Sequence, residues 1–220
     1  MEPTSRKYLF FDLDGTLTDS MPGIARAVQY ALRRFGIDVQ DLAALKPFLG
    51  PPLRDSFMEF YGMSPEEADR AVAVSREYFV PRGMFENELY PGIPELLAAT
   101  AAAGRVNVIA TSKPQPFAER IAAHFGIDRH FRLISGSTFD GRRKTKADVI
   151  RHALSALGIA PDEAVMIGDR RHDVEGAAEE GLPAIAVEWG YAPPDELEAA
   201  RPLRIVPDVE TLRRLLLGNE

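Results

Sequence analysis

No cysteine occurs in the 220-residue chain. That excludes disulfides, thiolate nucleophiles and Cys-based zinc sites together, though it says little about compartment. Histidine is scarce: His124, His130, His152 and His172 are scattered and show no metal-ligand spacing such as H-E-x-x-H, so surface or capping roles are expected of them. Positive charge is in deficit as well. With 26 Lys and Arg against 33 Asp and Glu, a formal net charge of −7, the chain lacks the basic footprint that a nucleic-acid backbone requires. No nucleic-acid polymer is expected as a partner, and a small anionic ligand needs local positive charge. Long apolar runs are missing too. Met1 to Lys7 is polar, and only Tyr8-Leu9-Phe10-Phe11 separates it from Asp12. Neither a signal peptide nor a membrane span is expected there, and a cytoplasmic location is the default.

The hydrophobic content, 45%, suffices for one good core, and the length also permits a small second domain. Short continuous apolar runs flanked by turn or polar residues predict buried strands at Tyr8 to Phe11, Val106 to Ala110, Phe131 to Ile134, Ala164 to Ile167 and Ala184 to Val187. Helical patterns lie between them at Ile93 to Ala103, Phe117 to Phe125, Lys146 to Leu157 and His172 to Glu180, several closed by a glycine. This alternation predicts an α/β fold, a Rossmann-like, mostly parallel sheet. Residues 20–86 break the alternation with helical periodicity alone (Ile24 to Phe35, Leu53 to Tyr61, Pro65 to Phe79). They are too long for a structureless loop and are expected to form an inserted all-helical cap domain, residues 1–19 and 87–220 forming the α/β core.

Four polar clusters stand at strand ends or helix starts. Asp12-Leu13-Asp14-Gly15-Thr16 sets two carboxylates two residues apart where an apolar strand stops, the place where open parallel sheets put their ligand crevices. A chain leaving the strand at Leu13 can turn both carboxylates toward one ion and free backbone N–H groups for phosphate. Taken alone, a solvated turn explains the pair as well. Thr111-Ser112-Lys113 offers a hydroxyl and N–H groups at another strand end, or simply a helix N-cap before Pro114. Arg142-Arg143-Lys144-Thr145-Lys146 precedes an apolar helix and offers a lysine to a phosphate, or a solvated helix start. Gly168-Asp169-Arg170-Arg171-His172-Asp173 ends a strand in one acid with a second four residues on, suited to a hard cation or to acidic helix capping.

Each cluster has an ordinary explanation, but the four together, in this order, do not arise easily by chance. With all four motifs in sequence, the chain resembles the haloacid dehalogenase (HAD) superfamily phosphatases over nearly its whole length. It is most similar to the phosphoglycolate phosphatase and 5′-nucleotidase branch, and residues 20–86 resemble that family's first type of helical cap. The resemblance implies Asp12 as the nucleophile that becomes an aspartyl phosphate, and Asp14 as general acid and base. It implies Mg²⁺ held by the Asp12 carboxylate, the Asp14 main-chain carbonyl and Asp169, with Asp173 supporting the metal shell. Thr111 and the Ser112 N–H would hold phosphoryl oxygens, and Lys146, preferred over Lys144 for its Lys-Ala-Asp-Val-Ile context, would bridge Asp12 and phosphate. Lys113 is a further phosphate contact and Arg54, in the Gly50-Pro51-Pro52 turn region, a substrate-specificity residue.

Three rivals stay open at this point. A phosphomutase shares the core motifs, since transfer and hydrolysis differ in how the cap admits water. A dehalogenase has no need of Asp14, because halide leaves without a proton. A non-catalytic receiver-like module has no use for so long an insertion. Phosphoglycolate, nucleoside 5′-monophosphates and sugar phosphates are all candidate substrates, and monomer and homodimer are equally compatible with the chain.

Overall fold

The structure, a computed structural model, describes residues 6–218, so residues 1–5 of the polar opening segment lie outside the described residues. In chain order the elements are β1 (Tyr8–Phe11), β2 (Thr18–Asp19), α1 (Met21–Arg34), α2 (Leu53–Tyr61), α3 (Pro65–Phe79), β3 (Glu88–Leu89), α4 (Ile93–Ala102), β4 (Val106–Pro114), α5 (Gln115–His124), β5 (Phe131–Ser137), α6 (Lys146–Leu157), β6 (Ala164–Gly168), α7 (Arg171–Glu179), β7 (Ala184–Val187), α8 (Glu196–Ala200), β8 (Arg204–Val206) and α9 (Val209–Leu217). The chain divides into two compact units, Met1–Thr18 with Leu89–Glu220, and Asp19–Glu88.

The first unit is built on a six-stranded sheet of order β5-β4-β1-β6-β7-β8 in which every pairing is parallel. It is the Rossmann-like α/β fold that the alternation predicts. β1 lies between β4 and β6, and its Leu9, Phe10 and Phe11 are all fully buried. A strand with neighbours on both sides and cover on both faces reads as a continuous apolar run, which is why its sequence does not alternate. On one face Phe10, Val108 and Met166 pack with Val149, Ile150 and Ala153 of α6 and Val174 and Ala177 of α7. Each fully buried Phe or Ile there contributes roughly 1.5–3 kcal/mol. The chain goes from β1 outward to β4 and β5, then returns to β6 on the other side of β1. At such a reversal open α/β sheets place their ligands, here beyond the C-terminal ends of β1, β4 and β6.

Several elements exceed the sequence expectation. β4 continues to Pro114, with a register irregularity between Thr111 and Pro114 against β5. β8, α8 and α9 follow the last predicted strand. α9 starts on Asp208, whose side chain accepts the Thr211 N–H at 2.7 Å, and it buries Leu212, Leu215 and Leu216.

The unit Asp19–Glu88 packs α1, α2, α3 and a 3₁₀ helix, Leu42–Phe48, around Val28, Leu32, Leu45, Phe48, Phe57 and Ala68. Phe48 and Phe57 meet edge to face with centroids 5.1 Å apart. α3 begins at a reciprocal cap: Glu67 N–H donates to Ser64 Oγ (3.2 Å) and Ser64 N–H to Glu67 Oε2 (2.9 Å). β2 and β3, where the chain leaves and returns to the α/β unit, pair as a two-stranded ribbon. Among the described residues no helix is long and apolar enough to cross a membrane.

Candidate active site

The residues after β1 form a tight loop rather than an extended strand. Leu17 N–H and Thr18 N–H both donate to the Leu13 carbonyl (3.0 Å each), and Gly15 N–H donates to Thr18 O at 2.8 Å. Gly15 takes φ +84°, and a Cβ there would fall 2.2 Å from Asp169 Oδ2, so the turn and the close approach of the acid both require glycine. The loop places Asp12 at the end of β1 and sends Asp14 to a different partner. Asp14 Oδ2 is 2.8 Å from Lys113 Nζ, while its Oδ1 is buried with no hydrogen-bond partner.

Lys113 reaches that position because Ser112 and Lys113 bulge between the paired positions Thr111 and Pro114. Thr111 is buried, and its Oγ1 accepts the Lys113 N–H at 3.2 Å. Ser112 is half-buried beside them.

Lys146 opens α6. Thr145 caps the helix by accepting the Asp148 N–H at 3.1 Å, and Asp148 Oδ2 accepts the N–H groups of Thr145 and Lys144 at 3.0 and 3.1 Å. These backbone donors hold the Asp148 carboxyl down to about 2. So placed, the buried Lys146 aims its Nζ into the first unit: 2.9 Å from Asp12 Oδ1, 2.7 Å from Asp173 Oδ1 and 3.0 Å from the Ala110 carbonyl. Lys144 is exposed. Burial works against the Lys146 ammonium, but attraction by Asp12 and Asp173 outweighs it and the net shift is upward.

Asp169 follows β6 and is fully buried. Its Oδ1 accepts the Thr16 hydroxyl at 3.2 Å and its Oδ2 the Tyr191 N–H at 2.8 Å. Asp173, in the first turn of α7, accepts the Arg170 N–H at 3.0 Å through Oδ2. Oxygens of Asp12, Asp169 and Asp173 lie within 4.8 Å of one another. Burial, then the charges of Asp173 and Asp12, push the Asp169 carboxyl well above the usual carboxylate range. Burial also raises Asp173, opposed by Lys146 and reinforced by Asp12, to about 6. Lys146 pairs with Asp12 and Asp173 and leaves Asp169 with hydrogen-bond donors alone, so the three acids outnumber the ammonium among them. An all-oxygen donor set without imidazole or thiolate suits a hard divalent cation better than zinc.

A family model for haloacid dehalogenase-like hydrolases matches residues 9–187, from β1 through β7. The chain belongs to the haloacid dehalogenase-like hydrolases. A 5′-nucleotidase of Pseudomonas aeruginosa is 48% identical over 208 residues, covering 94% of this chain and 94% of that protein. The crystal structure of a predicted phosphatase from Clostridium acetobutylicum superposes with a TM-score of 0.93 at 46% identity, covering 97% of this chain and 99% of that one. Tyrosine-protein kinase PtkA of Mycobacterium tuberculosis is 41% identical over 194 residues, covering 88% of this chain and 66% of that protein. Within the family this HAD-like hydrolase is an enzyme of the phosphatase type.

Of the residues singled out in the sequence, the HAD-like core gathers Asp12, Lys146, Asp169 and Asp173 into one cluster, with Asp14 and Lys113 paired close in sequence to Asp12 and Thr111. Arg54 lies on α2 of the other unit, where its guanidinium is 2.8 Å from Asp69. Sequence reading passed over Thr16, Trp189 and Tyr191, all of which bear on Asp169 directly or through one bond. The signal was available: Trp189-Gly190-Tyr191 follows a predicted strand end just as the four motifs do.

Proposed function

We propose that this chain is a Mg²⁺-dependent phosphomonoester hydrolase that works through a phosphorylated Asp12. The observation that carries the reading is the buried cluster itself: Lys146 between Asp12 and Asp173, with Asp169 beside them. Such a cluster is costly to the fold unless an ion and an anionic substrate complete it. Asp12, Asp169 and the Asp14 main-chain carbonyl, supported by Asp173, would hold Mg²⁺, which would supply the positive charge that lets an anionic nucleophile meet an anionic phosphoryl group.

In the first step an Asp12 carboxylate oxygen bonds to phosphorus as the ester P–O bond breaks, and protonated Asp14 gives its proton to the departing alkoxide. In the second, Asp14 takes a proton from water as that water bonds to phosphorus, and the Asp12–phosphorus link breaks to release inorganic phosphate. Lys113 holds one oxygen of Asp14 and leaves the other without a protein partner, which fits a group that hands a proton out and back. Thr111 and the Ser112 N–H are assigned to the phosphoryl oxygens, with Lys113 and Lys146 offsetting their charge. Residues 20–86 are assigned as the cap and Arg54 as a specificity residue. Among phosphoglycolate, sugar phosphates and nucleoside 5′-monophosphates, the likeness to the Pseudomonas aeruginosa 5′-nucleotidase favours the nucleotides. The reaction is placed in the cytoplasm.

The likeness to PtkA favours a second reading, in which the phosphoryl group on Asp12 passes to a tyrosine hydroxyl instead of water. Both are tested by inorganic phosphate release from a panel of phosphomonoesters with and without Mg²⁺, for the wild type and Asp12→Asn. Metal-dependent release lost in the variant supports hydrolysis. No release from any ester, with phosphate appearing on a tyrosine-containing peptide, overturns it in favour of transfer.

A further inference from the structure

The segment after β7 contributes nothing to the reaction steps above, yet it grips the acid cluster. Glu188 N–H is tied to Val206 O at 3.1 Å, which fixes where the segment leaves the sheet. Trp189 then donates its indole N–H to the Thr16 carbonyl at 3.1 Å. Thr16 in turn donates its hydroxyl to Asp169 Oδ1, and Asp169 Oδ2 accepts the Tyr191 N–H at 2.8 Å. These three bonds close a ring: Asp169 to Thr16, Thr16 to Trp189, and Tyr191 back to Asp169. Gly190 sits inside that ring, and a Cβ at this position would fall 2.3 Å from Asp169 Cβ and 2.4 Å from Oδ2. The Asp169 Cβ cannot swing aside as a side-chain tip can. The indole itself is steadied by Tyr90, whose ring meets it at 66° with centroids 6.4 Å apart. Tyr90 is anchored next to β3, its N–H donating to Leu17 O at 3.1 Å.

We propose that Trp189-Gly190-Tyr191 is a positioning clamp that sets the carboxylate of Asp169 for the divalent cation, with Trp189 as its latch on the loop that carries Asp12 and Asp14. The metal arm of this inference rests on the Mg²⁺ reading given above; the clamp itself does not. Both Asp169 oxygens are engaged from opposite sides, so the carboxylate has one orientation. A displacement of the backbone at Gly190 is transmitted to it directly. Groups that orient a metal ligand typically change metal affinity 10–100-fold when lost. Trp189 is the chain's one tryptophan, so its emission reports on the clamp without labels.

The test uses the full chain, metal-free and titrated with Mg²⁺, as wild type, Trp189→Phe and Gly190→Ala. Trp189→Phe keeps an aromatic ring beside Tyr90 and removes the indole N–H together with its five-membered ring. In metal-free protein the Tyr191 amide is expected to be protected from hydrogen exchange in the wild type and to exchange at least about tenfold faster in Trp189→Phe, with unchanged far-UV circular dichroism. Equal protection in both overturns the clamp, whatever the metal does. On titration, the wild-type emission and the Mg²⁺-induced rise in Tm are expected to share one midpoint. That midpoint, read from Tm alone in Trp189→Phe because this variant has no tryptophan, should move about tenfold higher there and vanish in Gly190→Ala. Variants that bind Mg²⁺ like the wild type overturn the positioning role. A wild type with no Mg²⁺-induced rise in Tm, but with Tyr191 protected and Trp189→Phe unprotected, upholds the clamp and removes the Mg²⁺ reading instead.

Discussion

The two units of this HAD-like hydrolase handle charged groups in opposite ways. In Asp19–Glu88 the charged side chains stay at the surface, and the buried polar atoms left without a hydrogen bond, Ser20 Oγ and the Asn87 amide, are uncharged. Ser64 and Glu67 close the start of α3 on each other, Gly62 ends α2, and Arg54 meets Asp69 as an exposed pair. In the α/β unit a strand end and two helix starts carry Asp169, Asp173 and Lys146 almost wholly out of water. Burial raises both acids, and one ammonium stands against three carboxylates. Among the described residues, buried charge is confined to the α/β unit, which carries the proposed reaction. A buried unpaired charge weakens a fold, so its persistence at one strand-end crevice marks the working part of the molecule.

The largest expected effect falls on chemistry. Asp12→Asn should lower phosphate release by on the order of 10⁴-fold or more while the protein stays folded, because it removes the nucleophile and one charge together. A variant retaining a tenth of wild-type turnover would dissolve the contrast between the units.

Next comes Lys146→Met. It strands Asp12 and Asp173 without their shared partner, and breaking a buried pair costs about 3–5 kcal/mol, or roughly 6–20 °C in Tm for a domain of this size. The matching change in the helical unit, Arg54→Met, removes an exposed pair worth under about 1 kcal/mol. Thermal melts of the two variants side by side measure the difference directly; equal losses would refute it.

Asp169→Asn should act in the opposite sense, raising the metal-free Tm by a few degrees while abolishing the Mg²⁺-induced rise. The amide keeps a partner for both Thr16 and Tyr191 and removes a charge that burial disfavours. The sign with pH follows from the raised acids. Asp173, at about 6 in the fold against a lower unfolded value, binds more protons folded than unfolded between about pH 4 and pH 6. Its contribution therefore makes the metal-free protein less stable as pH rises through that window, with no recovery above it. Asp169, raised in the same direction, adds to the effect. The Tm advantage of Asp169→Asn should thus be larger at about pH 7 than at about pH 4, and a constant advantage would contradict the shift.

The smallest effect belongs to Ser64→Ala. Loss of a side-chain N-cap costs about 1 kcal/mol, read as a Tm drop of roughly 2–4 °C, with turnover unchanged.

Much of this was legible along the chain because parallel strands buried on both faces leave continuous apolar runs, and each such run ended in a polar cluster. Asp12, Asp14, Thr111, Lys113, Asp169 and Asp173 were singled out as candidates that way, and Lys146 at a helix start, where the family resemblance preferred it to Lys144. Apart from Trp189-Gly190-Tyr191, which follows a strand end in the same way, what escaped lacked that signature. β8 is three residues with only Val206 buried, and α8 is five residues long, too short to show a period. Tyr191 acts on Asp169 through its backbone N–H, which leaves no trace in residue type, and Thr16 through a hydroxyl whose partner lies 153 residues away.

By itself, then, the sequence determined which residue types stand at which strand ends, since periodicity and turn chemistry are local properties. Only the tertiary structure decided that Lys146 meets Asp12 and Asp173, that Asp14 turns instead to Lys113, and that Trp189 closes on Thr16. Those pairings join positions up to 173 residues apart. They exist because the sheet order sets β1 between β4 and β6, and no local pattern encodes a neighbour across a sheet.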